Sequence, residues 1–273
     1  MSSCRVPARS DREGVGSHDL GSLDLHVHTT MSDGDEPLWR VVEIAAERGV
    51  TVGIADHVST RNPARFVATL DAMETYVEAL EGAPVLRAAE LCWCDRLYEQ
   101  LPMELLARLD YMIGSNHGFS LPDGTMASPW WMELPEAWQG RADEVMELMV
   151  LNLCDLVREM PVQIVAHSTL MPPALLSLEP DLEAWWTEER EDRFVEATIQ
   201  GEVAIEISNR YRLPHDRVLR KAKEAGATFS LGSDGHTEFQ IARLDWAIAA
   251  AGRAGINRAD LFVPERARVV RSA

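Results

Sequence analysis

At 273 residues, 46% of them hydrophobic, the chain can bury one sizeable core and falls within the range of a single α/β barrel. With 44 acidic against 26 basic residues its formal net charge is −18. Such a surface repels phosphate backbones and anionic lipid, so neither nucleic acid nor membrane is expected as the main partner. Residues 1–20 are polar and rich in Gly, Ser and Arg, and read as a flexible tail ahead of one domain over 21–273. No apolar signal segment or membrane-length stretch is present, and the expected location is the cytoplasm. Cys4, Cys92, Cys94 and Cys154 match no disulfide framework, and Cys92 and Cys94 stand too close for a zinc-ribbon pair, so all four read as reduced thiols.

After the tail, short runs rich in Val, Ile, Leu and Ala alternate with amphipathic stretches. The first strand is predicted at 23–28. Pro37 then heads a helix over 38–48 that Gly49 stops, and a second strand follows at 50–55. Pro63 precedes a helix over 64–80, with Gly82 beyond it, and strands three and four fall at 84–91 and 111–115. Residues 119–140 contain Trp130, Trp131 and Trp138 among Pro and Gly, and read as a lid-like loop over the mouth of the fold. A helix over 141–160 leads to strand five at 162–166 and strand six at 203–207. Pro214 opens a helix over 215–225, strand seven lies at 228–231, and a last helix over 239–251 closes at Gly252. Nearly continuous apolar runs suit strands covered on both faces, and serial β-α units imply a parallel sheet with right-handed crossovers. Polar residues at the end of every strand favour closure into a barrel over an open sheet with one switch point.

Six of the eight histidines fall at the C-terminal end of a predicted strand. His26 and His28 are two residues apart and so face the same side of strand one. His57 ends strand two, His117 strand four and His167 strand five. Asp234 and His236 form another such pair after strand seven, and Glu90 stands near the end of strand three. Any one of these histidines alone is more simply structural. Six at one end of five strands point to a metal site, since imidazole and carboxylate together suit Zn²⁺, Mn²⁺ or Fe²⁺. His18 and His215 fall in the tail and at a helix start, and are assigned to solvent. Trp39, Trp185 and Trp186 read as helix packing, and Trp130 and Trp131 as parts of the lid.

Residues 23–34, LDLHVHTTMSDG, resemble the opening motif of the polymerase and histidinol phosphatase (PHP) superfamily. Residues 54–57 (IADH), Ala89 and Glu90, 110–117 (DYMIGSNH), 164–167 (IVAH), 204–208 (AIEIS) and 231–236 (LGSDGH) are similar to its later motifs, in the family's order. The resemblance implies a distorted seven-stranded (β/α)7 TIM-like barrel with two to three divalent ions at the C-terminal rim of the strands. It implies that His26, His28, Glu90 and Asp234 hold one ion, that Glu90, His117 and His167 hold a second with Glu90 bridging, and that Asp33, His57 and His236 hold a third. Two positions depart from the family: Ser168 and Thr169 follow His167 where Pro-Asp is common, and the Trp-rich segment after His117 is unusually long.

The chemistry so implied is metal-activated hydrolysis of a phosphate monoester of a small metabolite, as in histidinol phosphatases. Glu90, Asp234 and His236 would be catalytic through the ions, with Asp56 a candidate acid for the leaving group. Arginine binds phosphate bidentately, which makes Arg210 and Arg212 after strand six, and Arg61 after strand two, the candidate substrate residues. Glu206, within strand six, is a candidate either for support of a ligand histidine or for a buried salt bridge to a lysine or arginine of the barrel. A nuclease would call for a basic strip, and a non-catalytic scaffold for a missing ligand position; the chain shows neither. Hydrolysis of a non-phosphate bond by the same metal set is a further alternative.

Overall fold

The computed structural model describes residues 17–270, so most of the expected tail lies outside the described residues. Its last part, Ser17–Ser22, is a 3-10 helix. The elements that follow are β1 (Leu23–Val27), α1 (Leu38–Arg48), β2 (Thr51–Ile54), β3 (His57–Val58), α2 (Leu70–Glu81), β4 (Leu86–Arg87), β5 (Glu90–Cys92) and α3 (Met103–Leu106). Next come β6 (Ile113–Ser115), β7 (Phe119–Ser120), β8 (Met126–Ala127), α4 (Ala142–Glu159), β9 (Ile164–Val165), α5 (Pro173–Leu176), α6 (Leu182–Trp185) and α7 (Glu188–Gln200). The chain ends with β10 (Ala204–Ser208), α8 (Asp216–Glu224), β11 (Phe229–Gly232), α9 (Asp245–Arg253) and α10 (Glu265–Val270).

The strands form two parallel sheets, ordered β1-β2-β4 and β11-β10-β9-β6-β5-β3, plus the antiparallel pair β7-β8. The strand predicted at 84–91 is broken into β4 and β5, and β3 is a separate short strand beyond the one predicted at 50–55, which is why the ladder divides. Tyr76 of α2 occupies the break: its hydroxyl donates to Ala88 O at 2.7 Å, lies 3.2 Å from Ile54 O and accepts Asp56 N–H at 3.1 Å. Backbone bonds still carry the order across, with Ala88 N donating to Ile54 O at 2.9 Å and Glu90 N to Asp56 O at 3.0 Å. The first strand meets the last through a parallel bridge between Val27 and Gly235.

Local chemistry explains the helix boundaries. α1 starts behind Pro37 and ends at Gly49, whose φ of 65° is the left-handed cap that glycine tolerates. Its Val41, Ile44 and Ala45 repeat at helical spacing and are buried. α2 begins six residues later than Pro63 suggests, because the Thr69 hydroxyl accepts Ala72 N–H and caps it. The freed segment carries Arg61 and Phe66 toward the strand ends, pinned by a bridge between Val58 and Val67. Similarly, α9, the last helix predicted, starts at Asp245 rather than 239. The predicted lid is partly ordered: a hairpin, β7-β8, turns on Pro122, Asp123 and Gly124, the last at φ 84°.

The apolar core is split. Helices pack on the strands through a large cluster that includes Val41, Met73, Leu80, Val150, Leu156, Phe194 and Leu219. Trp185 and Trp186 belong to it, whereas Trp39 is 64% exposed and does not pack as expected. A smaller cluster joins Leu23, Leu86, Ile113, Ile164 and Ala204. These are the first residues of their strands, so apolar packing fills one end and leaves the other for polar groups.

Candidate functional site

The polar end is built from β1, from the first residues of the short strands β3 and β5, and from the turns beyond β1, β6, β9 and β11. His26 lies in β1 and His28 one residue after it; His57 opens β3 and pairs in register with Glu90, which opens β5. His117, His167 and Asp234 each stand two residues past the ends of β6, β9 and β11. His167 and Asp234 have φ of 29° and 49°, left-handed backbone that is costly for a histidine and recurs at functional sites. Asp33 arrives on the tight turn after β1, where Ser32 and Gly34 N–H both donate to Thr29 O at 3.0 Å.

All nine predicted ligand residues are brought together. Glu90 is central. Its Oε1 lies 3.3 Å from His117 Nε2 and 3.2 Å from His167 Nε2. Its Oε2 lies 2.5 Å from His57 Nδ1, 3.6 Å from His26 Nε2 and 3.7 Å from His28 Nε2. Asp234 Oδ1 is 3.3 Å from both His28 Nε2 and His236 Nδ1. Asp33 Oδ1 is 3.3 Å from His236 Nε2, 3.5 Å from His57 Nε2 and 3.7 Å from His28 Nδ1. Three overlapping sets have donor atoms all within 4.8 Å of one another: His28, Asp33, His57 and His236; His26, His28 and Glu90; His57, Glu90 and His117. These sets share His28 and His57, so the three-way division implied by the resemblance is less sharp in space.

The charge of the site fits cations. Burial disfavours ionised Glu90, yet His57, His117 and His26 hold its carboxyl well below the usual range. Asp234 is likewise held down against burial by hydrogen bonds from His236 and His28, and Asp33 by His236 and its neighbouring imidazoles. Burial pushes His28 down to about 3 and His117 to about 4, which leaves their ring nitrogens with free lone pairs. In compensation His236 rises to about 9, where Asp234 and Asp33 outweigh its burial. Ring protons thus balance buried carboxylates as bound cations would. His28 Nδ1 and Glu90 Oε2 are buried without hydrogen bonds, although His57 Nδ1 is close to the latter. Buried nitrogen and oxygen donors that converge at 3 to 4 Å, two of them without a hydrogen bond, suit a divalent ion.

A cavity of about 380 Å³ opens over these groups. Arg61 and Arg210 line it from opposite loops. Arg210 lies 3.5 Å from Asp234 Oδ1 and touches His236 Nδ1; Arg61 donates to His117 O. Arg212 is exposed and does not line the cavity, its backbone turned left-handed at φ 56°. Asp56 does not reach it either. That residue is fully buried, accepting Thr29 N–H and Thr29 Oγ1–H at 2.8 Å and Ser32 Oγ–H at 2.5 Å, so it shapes the turn that presents Asp33. His215 is not solvated: its Nε2 lies 2.9 Å from buried Glu191. Of the lid, Trp130 lines the cavity, Trp131 packs on the core and Trp138 is buried. Sequence reasoning missed Phe66 and Tyr211, whose rings pack 4.6 Å from His57 and 5.3 Å from His167. Tyr211 directly follows Arg210, which is the one signal that could have marked it.

No family model matches the sequence, and no curated protein does. Among solved structures, histidinol phosphate phosphatase from Lactococcus lactis superposes with a TM-score of 0.61 at 20% identity, over 88% of this chain and 95% of its own. That crystal structure holds zinc, L-histidinol and phosphate. A two-domain protein from Bacteroides vulgatus, containing a predicted PHP-like metal-dependent phosphoesterase, aligns at 16% identity over 80% of this chain and 52% of its own. Its TM-score of 0.36 is too low to bear on this chain. The first likeness establishes a shared α/β fold with parallel strands, that of a histidinol phosphatase, the kind of protein the motifs resemble. Among the described residues no helix is long and apolar enough to cross a membrane.

Proposed function

We propose that the chain is a metal-dependent phosphatase that hydrolyses a phosphate monoester of a small metabolite, in the manner of a histidinol phosphatase. In this reading the two parallel sheets together make a distorted seven-stranded barrel with the metal site at its C-terminal rim. The observation that carries it is the clustering of seven histidine and carboxylate side chains, joined by His167 through Glu90 and by Asp234 through His28, at a cavity lined by two arginines.

His26, His28, Glu90 and Asp234 would hold one ion, Glu90, His117 and His167 a second, and Asp33, His57 and His236 a third. Divalent ions there would supply Lewis acidity and activate water near neutral pH. Glu90 suits the bridging position because its two oxygens face different imidazoles. Arg61 and Arg210 would bind phosphate oxygens from two sides and fix phosphorus over the donors. Trp130, Phe66 and Tyr211 would wall the leaving group from bulk water. The cytoplasm suits the partly exposed thiol of Cys94.

The test is phosphate release from a panel of phosphorylated metabolites with Mn²⁺, Zn²⁺ or Fe²⁺. Wild type is expected to release phosphate, and His26→Ala and Asp234→Ala to lose at least about a hundredfold of the rate. Equal release by wild type and both variants removes the assigned site. Cleavage of amides or lactones but of no phosphate ester selects the non-phosphate alternative.

A further inference from the structure

Outside the imidazole cluster, a pair of free cysteines stands at the cavity wall and on the turn beside it. Cys92 closes β5 and lines the cavity, and Cys94 follows on the turn, partly exposed. Their sulfurs lie 3.2 Å apart, with the Arg61 guanidinium 3.5 Å from Cys94 Sγ. The turn that holds them is fixed. Asp95 accepts Ser59 Oγ–H at 2.5 Å, Thr60 N–H at 2.6 Å and Leu97 N–H at 3.1 Å, while Trp93 N–H donates to Ser115 O at 3.0 Å. The two thiols are therefore presented face to face rather than brought together by chance rotation.

We propose that Cys92 and Cys94 are a peroxide-responsive dithiol that closes reversibly to a disulfide in the wall of the cavity. Cys94 is the attacking sulfur, because it is the more exposed and has a cation beside it. The Cys92 thiol hydrogen bond, with the Arg61 charge, holds the Cys94 thiol below its ordinary pKa. Its thiolate attacks one oxygen of hydrogen peroxide; the O–O bond breaks, hydroxide leaves and takes up a proton as water, and Cys94 becomes a sulfenic acid. The Cys92 sulfur then attacks Cys94 sulfur; the S–O bond breaks and hydroxide leaves with the Cys92 proton as a second water. Two thiols and one peroxide give one disulfide and two waters, with peroxide as the two-electron oxidant. A dithiol reductant reverses it. Oxidation also removes the anionic sulfur beside Arg61, whose remaining partner is His117 O.

The inference stands apart from the phosphatase reading, and its test reads mass rather than activity. The full chain is treated with hydrogen peroxide, quenched, labelled with N-ethylmaleimide and digested with trypsin, which places both thiols in peptide 88–96. The expected product is that peptide two hydrogens lighter, unlabelled, and restored to two maleimide labels by prior dithiothreitol. In Cys92→Ser, Cys94 is expected to be trapped by dimedone as the sulfenic acid. Three results overturn the proposal: peptide 88–96 still taking two labels after peroxide, Cys94 two oxygens heavier in wild type with Cys92 free, or either cysteine bridged to Cys4 or Cys154.

Discussion

His26 Nδ1 lies 2.6 Å from Glu206 Oε1, both side chains being buried, and the other oxygen of Glu206 accepts the backbone N–H of His167 at 2.8 Å. One carboxylate on β10 therefore orients two candidate ligands that come from β1 and from beyond β9. With Nδ1 at Glu206, His26 turns its Nε2 toward Glu90 and His28, the nitrogen it would offer to a cation. In Glu206→Gln the amide can accept from His167 N–H only by turning its NH₂ toward His26 Nδ1. The His26 proton must then move to Nε2, where it blocks coordination. A metal affinity about 10–100-fold weaker, with unchanged circular dichroism, is expected in chelator competition. Wild-type affinity in that variant shows that Glu206 does not set the tautomer.

Gly232, at the end of β11, leaves room for this contact. A Cβ there would lie 2.2 Å from Glu206 Oε1 and 2.8 Å from His26 Cβ, both on packed, buried side chains that cannot swing away. Gly232→Ala should lower stability by about 1–3 kcal/mol, as overpacking does. It should also weaken metal binding alongside Glu206→Gln. Chemical denaturation checks the first, and a midpoint unchanged from wild type contradicts it.

The site was legible because strand geometry forces it: a two-residue spacing puts His26 and His28 on one side, and parallel pairing sets His57 beside Glu90, with His117 and His167 just past the ends of β6 and β9. What such spacing does not encode is which loop side chain returns to the cavity. Arg61 returns to the cavity, where its guanidinium donates to His117 O, while Arg212, only two residues from Arg210, faces solvent. The charged helix α7 was hidden by its weak apolar pattern, although Thr187 caps it by accepting Arg190 N–H. The hairpin at 119–127 was likewise signalled by Pro122, Asp123 and Gly124, but its strands are too short for alternation to show.

Arg210 should act on the anion rather than on the fold. Its side chain is 31% exposed and its guanidinium faces the cavity. Under the proposed function, Arg210→Ala should weaken inhibition by inorganic phosphate by about tenfold or more, the scale of a charged hydrogen bond. Arg210→Lys should restore little, because an ammonium cannot reproduce the planar fork. Isothermal titration with phosphate on the metal-loaded protein measures both, and full recovery by lysine rules out bidentate binding.

Acid sensitivity should have a source far from the cavity. Glu147 on α4 touches Arg193 Nη1, accepts from Arg193 Nη2 at 2.8 Å and from Arg190 Nε at 3.1 Å, both arginines lying on α7. Arg193 first, and then Arg190, lower its pKa from 4.5 to about 2. A carboxylate depressed by folding stabilises above its unfolded value and loses that contribution as pH falls through its folded one. Here the window runs from 4.5 down to about 2. The side chain is 36% exposed, so solvent screening leaves on the order of 1 kcal/mol. Glu147→Gln should therefore be less stable than wild type at pH 7, with the gap closing as acid is added through that window. Urea denaturation of both proteins across the range measures the gap directly, and one that stays constant below pH 4.5 assigns the loss to packing instead of charge.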